Sequence, residues 1–303
     1  MTAKYGRSPL WTYNNQANVV EHVPGDLHGF KSGAVNYKLA LWDPRANGVR
    51  YLKALIYHLA SGLDEANLTR LRAIRNREVG DPISVRCHGE PVCMDYLQAT
   101  FELAFLGKHV DLDGCAVLEI GAGYGRTCHA VLSNHDVASY TIVDLPNSLA
   151  LAEDYLRQVL DDERFAKIRF VLADNADELY TEPVFDLCVN IDSFAEMDET
   201  TVRNYLALIA DRCRRLYVNN PVAKYLDKSL DDHAQGDDVV QLALQTGLLR
   251  DVIDVHDSDA IEGQVGAFTD AYRPDGSWEL VEVAPVVPWS YYRQALYQRT
   301  GAA

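Results

Sequence analysis

Five carboxylates stand at the ends of short apolar runs in this chain: Glu119, Asp144, Asp174, Asp192 and Glu196. The first sits inside the stretch Ala116 to Arg126, AVLEIGAGYGR, where an apolar run leads into Gly121, Gly123 and Gly125. That pattern predicts a buried strand turning sharply into a helix, with backbone bare enough to hold a ligand and a partly positive helix end aimed at it. Asp144 follows Gly121 by 23 residues, at the end of the run SYTIV, where a carboxylate can accept both hydroxyls of a ribose. The dinucleotide fingerprint G-x-G-x-x-G would need a third glycine at position 126, which is Arg126.

Asp192 and Glu196 lie in the segment NIDSFAEM, just past the run FDLCV. Carboxylates there can orient a hydroxyl and remove its proton; the structural alternative is that they cap the short turn or the helix that follows. His28, His88 and His233 are further candidate bases without a placed partner. Asp192 and Glu196 could also share a divalent cation with vicinal hydroxyls, but two carboxylates four residues apart do not by themselves define a metal site.

Positioning these groups requires an alternation of strands and helices. Strands are expected at 117–120, 139–143, 168–172, 185–191 and 216–218, with helices at about 125–133, 148–160 and 200–213 between them. Further strand signals fall at 252–255, 278–283 and 291–297, and a helix ends near Gln245. The first 112 residues read as mostly helical, with helices over 44–60, 64–78 and 91–106, Leu97, Phe101, Ala104 and Phe105 forming the core stripe of the last. The arginines at 70, 72, 75 and 77 spread around their helix and read as a solvated face. The expected organisation is residues 1–112 as an amino-terminal cap that helps bind an acceptor, and 113–303 as the sheet domain.

With 303 residues the chain is long enough for a full core, and 48% apolar with 24% charged residues is ordinary for a globular enzyme. The 44 acids and 28 bases leave a formal charge of −16, which argues against nucleic acid and anionic lipid as partners. The absence of an 18-residue apolar run and of an apolar leader core predicts a cytoplasmic location without membrane attachment. Six cysteines show neither a C-x-x-C pair nor zinc spacing, so free buried thiols are expected and no metal site. A homo-oligomer is compatible with this composition.

The motif VLEIGAGYGR, with YTIVDLP and FVLADN, resembles class I S-adenosylmethionine (SAM) dependent methyltransferases. The segments FKSGAVNYKLALWDP, YTIVDLPNSLALAEDYL, FDLCVNIDSFAEM and YYRQALYQR resemble more narrowly the bacterial sugar O-methyltransferases. The resemblance implies an α/β, Rossmann-like sheet of seven strands with the last antiparallel, at about 291–297. It implies SAM as cofactor, S-adenosylhomocysteine as product, and cofactor contacts at Glu119, Gly121, Ala122, Gly123, Asp144, Asp174, Asn175 and Asn190. The acceptor it implies is a small molecule, a sugar or glycoside. By their position after the fourth strand, Glu196 and Asp192 are the candidate catalytic carboxylates, Glu196 preferred for its reach. An amine acceptor and a non-catalytic nucleotide-binding module remain as alternatives.

Overall fold

A computed structural model describes residues 8–17, 44–225, 228–231 and 235–301. The chain divides into two compact units, residues 1–62 with 83–93, and residues 63–82 with 94–303. Residues 63–82 and 94–112, expected in the amino-terminal region, therefore belong to the unit that holds the sheet.

The smaller unit contains the helices Pro9–Ala17 and Pro44–Ser61 and an antiparallel hairpin of β1 (Ser84–Cys87) and β2 (Glu90–Cys93). The hairpin replaces the start of the helix expected from Pro91, which instead begins at Met94. His88 and Gly89 form its turn with φ of 50° and 80°, the left-handed pair that matches the twist of a two-residue hairpin.

The larger unit is built on β3 (Ala116–Ile120), β4 (Ser139–Asp144), β5 (Ile168–Leu172), β6 (Leu187–Ile191), β7 (Arg215–Pro221), β8 (Trp278–Pro285) and β9 (Tyr292–Arg299). Their order is β5-β4-β3-β6-β7-β9-β8. The strands from β5 to β7 are mutually parallel, and β9 runs antiparallel to both of its neighbours, β7 and β8. This is the expected Rossmann-like sheet of seven strands, with the antiparallel strand β9 where the sequence placed it. Strand order reverses between β3 and β6, so a crevice opens there at the carboxyl ends of the strands.

Both faces of the sheet are covered, which is why its strands read as continuous apolar runs rather than as alternations. Leu118 and Ile120 pack on one side in a core with Val202, Ile209 and Phe268 from the helices Glu199–Arg212 and Ser258–Ala271. The helices Glu65–Ala73, Met94–Leu106 and Arg126–Asn134 pack together, and Phe105 brings its ring to 5.8 Å from Tyr217 of β7. In Met94–Leu106, Leu97 and Phe105 are buried as expected, Phe101 and Ala104 only half-buried, and the polar Thr100 and Glu102 are buried too.

Several boundaries differ from the sequence reading for local reasons. The helix expected to reach residue 78 stops at Ala73: Ile74 is extended, and the buried Arg77 donates to the carbonyls of Leu71 and Ile74. Arg77 is thus a helix stop and not part of a solvated face. Residues 252–255 form no strand; Val252 makes a single bridge to Lys224. The helix Ser258–Ala271, capped by Asp257, was not anticipated. All six cysteines are buried free thiols. Among the described residues no helix is long and apolar enough to cross a membrane, and no three His, Cys, Asp or Glu side chains gather as a metal site.

Candidate active site

The three glycines of the turn after β3 have three separate reasons. Gly121, at φ 76°, is needed because a Cβ there would stand 2.1 Å from Ser193 Oγ. Gly125, at φ 89° before the helix Arg126–Asn134, leaves room for Leu156, 2.8 Å from where its Cβ would be. Gly123, at φ 59°, has nothing within 4 Å of an added Cβ. Of the three, Gly123 is the one whose bare backbone faces open space.

That space is a cavity of about 600 Å³ at the switch point between β3 and β6. Its wall includes Glu119, Gly121, Ala122, Gly123 and Tyr124 from the first turn, Asp144 from the end of β4, and Asp192, Ser193 and Glu196 from the turn after β6. Volume and position suit a small-molecule ligand. Asp144 is already oriented, its Oδ2 accepting from Gly123 N at 2.8 Å and its Oδ1 from Leu145 N at 2.7 Å.

Glu119 is buried and accepts from the Tyr140 hydroxyl at 2.8 Å. Burial pushes its carboxyl up to about 7, although Tyr140 and Arg126 favour the charged form. Arg126, which breaks the dinucleotide fingerprint, donates to both oxygens of Glu102 at 2.9 Å and to the Asp95 carbonyl at 3.0 Å. Glu102 also accepts from Asn219 Nδ2 at 3.2 Å, so one buried ion pair ties the glycine turn to the helix Met94–Leu106 and to β7. Tyr124 donates from its hydroxyl to Asp95 at 3.0 Å while its ring lines the cavity.

Asp192 is held at a positive φ of 65° with ψ −38°, at the point where β6 turns into the short helix Ser193–Glu196. Such a conformation persists in a non-glycine residue only when its surroundings impose it. Here the Asp192 amide donates to Asn219 O at 2.8 Å, and Tyr292 donates from its hydroxyl to Asp192 Oδ1 at 2.7 Å. The Asp192 side chain makes no capping bond; the acid that caps the helix Glu199–Arg212 is Asp198. Glu196 forms no hydrogen bond among the described residues, and burial followed by the neighbouring Asp192 raises its pKa, with Lys224 opposing. A carboxylate with a raised pKa at a cavity wall is a candidate for proton exchange with a bound ligand.

Asn190 is placed behind the wall and not on it. It is fully buried, donates from Nδ2 to Ile120 O at 3.0 Å and to Ser193 Oγ at 2.6 Å, and accepts from Asn220 at 2.9 Å. Its work is to brace the Asp192 turn against the glycine turn. Asp174 and Asn175 lie on the 3-10 segment Ala173–Thr181 and are exposed; Ala173 lines the cavity, and Asp174 is close enough to raise the pKa of the cavity residue Tyr205. His28 and His233 fall outside the described residues, and His88 is the hairpin turn residue of the smaller unit.

Two residues of this site were not singled out from the sequence. Tyr292 lies a hundred positions from Asp192, and only the antiparallel insertion of β9 brings them together. Lys224, just past β7, is buried and donates to Ala195 O at 2.9 Å and to Thr246 Oγ1 at 3.2 Å, with its pKa lowered by burial. The Gly247 amide adds a bond to Met197 O at 2.6 Å, so the turn after β6 is held at both Ala195 and Met197.

No protein-family model matches the chain, and no curated protein matches it. Solved structures similar to it include the methyltransferase domain of bacterial CtHen1-CN, at 13% identity over 66% of this chain and 96% of that one, TM-score 0.47. Mitomycin 7-O-methyltransferase MmcR is similar at 17% identity over 68% of this chain and 56% of that one, TM-score 0.42. A SAM-dependent methyltransferase from Clostridium acetobutylicum ATCC 824 is similar at 13% identity over 67% of this chain and 91% of that one, TM-score 0.43.

Proposed function

We propose that this chain is a SAM-dependent O-methyltransferase acting on a hydroxyl of a sugar or glycosylated small molecule. The observation that carries the reading is the convergence of Glu119, Asp144, Asp192 and Glu196 on one cavity at the switch point of a class I sheet. A set of carboxylates around a ligand-sized cavity fits a ligand that offers ribose hydroxyls and positive charge.

The residues divide the work by position. Asp144, its own geometry fixed by two backbone amides, accepts the ribose hydroxyls, and Asp174 with Asn175 takes the adenine edge. The Gly121–Ala122–Gly123 backbone carries the amino-acid end, beside Glu119. When bound, SAM supplies an electrophilic methyl group on a positively charged sulfur. Glu196 and Asp192, on the cavity wall after β6, align the acceptor hydroxyl and remove its proton, Glu196 being the preferred base because its side chain has no competing hydrogen bond among the described residues and a raised pKa. Tyr292 acts by holding Asp192. Alignment of the acceptor with the methyl group contributes much of the acceleration such a transfer needs.

Two measurements test this. Calorimetry should detect SAM and S-adenosylhomocysteine binding one per chain, and labelled methyl should move from SAM to a glycoside hydroxyl. Failure of both ligands to bind would sink the reading.

A further inference from the structure

A cluster of tyrosines adjoins the cavity residue Asp192. Tyr292, bonded to Asp192, meets Tyr291 with ring centroids 5.0 Å apart and planes at 60°. Tyr291 lies 5.1 Å from Tyr225 at 49°. All three are half-buried. They meet because β9 enters the sheet beside β7: Tyr292 pairs with Pro221, and Val222 N donates to Tyr291 O at 2.9 Å. The cluster therefore stands at the carboxyl end of β7, next to the strand that delivers Asp192.

The charges that face the cavity are mostly negative. Asp144, Asp192 and Glu196 face the cavity. The cations that approach it are already engaged: Arg126 by Glu102, Lys224 by Ala195 O and Thr246, Arg250 by Glu199 and Gly247 O, and Arg293 by Glu262 and the carbonyls of Ser290 and Tyr292. A phosphate brought here would meet carboxylates and, among the described residues, no uncommitted cation; the chain as a whole carries −16. A ring with an apolar face and hydroxyl edges has the opposite fit, resting its C–H face on tyrosine and turning a hydroxyl to the carboxylates.

We infer that the acceptor is a phosphate-free glycoside whose ring face lies on the Tyr225–Tyr291–Tyr292 cluster, and that nucleoside-diphosphate sugars are not acceptors. This rests on the methyltransferase reading and narrows it: methylation follows glycoside assembly and does not act on the activated sugar.

Saturation-transfer NMR on the full chain loaded with S-adenosylhomocysteine tests it, with phenyl β-glucoside and UDP-glucose as the two probes. S-adenosylhomocysteine binding is measured first by calorimetry, and its absence refutes the methyltransferase reading on its own. With that ligand bound, the sugar-ring protons of phenyl β-glucoside should saturate and those of UDP-glucose should not. Tyr225→Ala should weaken the glucoside signal about fivefold with S-adenosylhomocysteine affinity retained, and Tyr225→Phe should keep it. Stronger saturation of UDP-glucose, saturation of neither probe, or an unaltered glucoside signal in a folded Tyr225→Ala protein overturns the inference; the wild-type comparison decides it even if that variant does not fold.

Discussion

The Tyr292 hydroxyl donates to Asp192 Oδ1 over 2.7 Å, joining the last strand of the sheet to the positive-φ turn after β6. Burial and the Asp192 charge push the Tyr292 pKa well above its ordinary value, so the phenol stays protonated and remains a donor at every working pH. A hydrogen bond to a charged group contributes about 1.5–3 kcal/mol. Tyr292→Phe should therefore lower kcat about tenfold or more through misplacement of Asp192, while calorimetry gives an unchanged SAM dissociation constant. A variant with wild-type kcat would show that Asp192 needs no such tether.

Asp144→Ala should weaken SAM binding at least about tenfold, since it removes the charge-assisted bonds proposed to the ribose. It also frees the amides of Gly123 and Leu145, which Asp144 now orders. Asp144→Asn, which keeps an acceptor oxygen, should lose less. Calorimetry on the two variants, with circular dichroism to verify the fold, checks the ranking; an unchanged affinity in Asp144→Ala removes this residue from the site.

The strands that carry the site were legible because a parallel sheet buried on both faces leaves unbroken apolar runs, each ending in the residue that enters the crevice, as Ile120 leads to Gly121 and Val143 to Asp144. The antiparallel last strand was legible only through the family resemblance. Pairings made by long-range packing left no local mark: Tyr292 with Asp192, Arg126 with Glu102, Lys224 with Ala195. Gly121 shows a subtler limit. Its spacing suggests a ligand pressed on the backbone, whereas the atom that forbids a side chain is Ser193 Oγ. The β1–β2 hairpin was hidden because its strands are four residues each and Pro91, which suits a first helical turn, instead sits in β2.

Glu119 predicts a pH dependence of both stability and binding. Its folded pKa of about 7 lies above the ordinary 4.5, because burial disfavours the anion. The folded protein then holds a proton that the unfolded chain has lost, so this group's contribution makes stability fall as pH rises from about 4.5 to about 7 and stay level above. Glu119→Gln should flatten that slope in urea titrations run across the window. A cationic ligand beside Glu119 favours the carboxylate, so SAM affinity should rise with pH below about 7, by up to about tenfold per unit, and then level off. Parallel slopes in wild type and Glu119→Gln would contradict both expectations.

Glu196 and Asp192 are separable by their pH profiles. Burial and the Asp192 charge raise the Glu196 pKa, so a rate that needs its anionic form should climb with pH through a value above the usual carboxylate range. Glu196→Gln should lower kcat by at least about a hundredfold and abolish that limb. Asp192→Asn keeps an acceptor for Tyr292 and should lower kcat by a similar factor if Asp192 takes part in proton removal. Wild-type turnover in both variants, measured with a competent acceptor, would place the base elsewhere.

Gly121 and Gly123 share a motif, and alanine at each should fail differently. At Gly121 an added Cβ falls 2.1 Å from Ser193 Oγ and 2.4 Å from Ser193 Cβ, at a φ of 76°. Ser193 cannot retreat without giving up its bond to Ile120 O and the one it accepts from Asn190. Overpacking of this kind costs about 1–3 kcal/mol, and left-handed strain adds about 1–2 more. Gly121→Ala should therefore melt several degrees lower, and Ser193→Gly in the same chain should recover part of the loss by vacating the space. At Gly123 the added methyl meets nothing within 4 Å, so only the strain at φ 59° remains and the melting temperature should change little. That methyl would nevertheless stand in the cavity against which the amino-acid end of SAM is proposed to lie, and affinity should drop at least about tenfold. Thermal melts paired with calorimetry read both effects. Gly123→Ala with wild-type SAM affinity would mean that the ligand does not pass over this backbone.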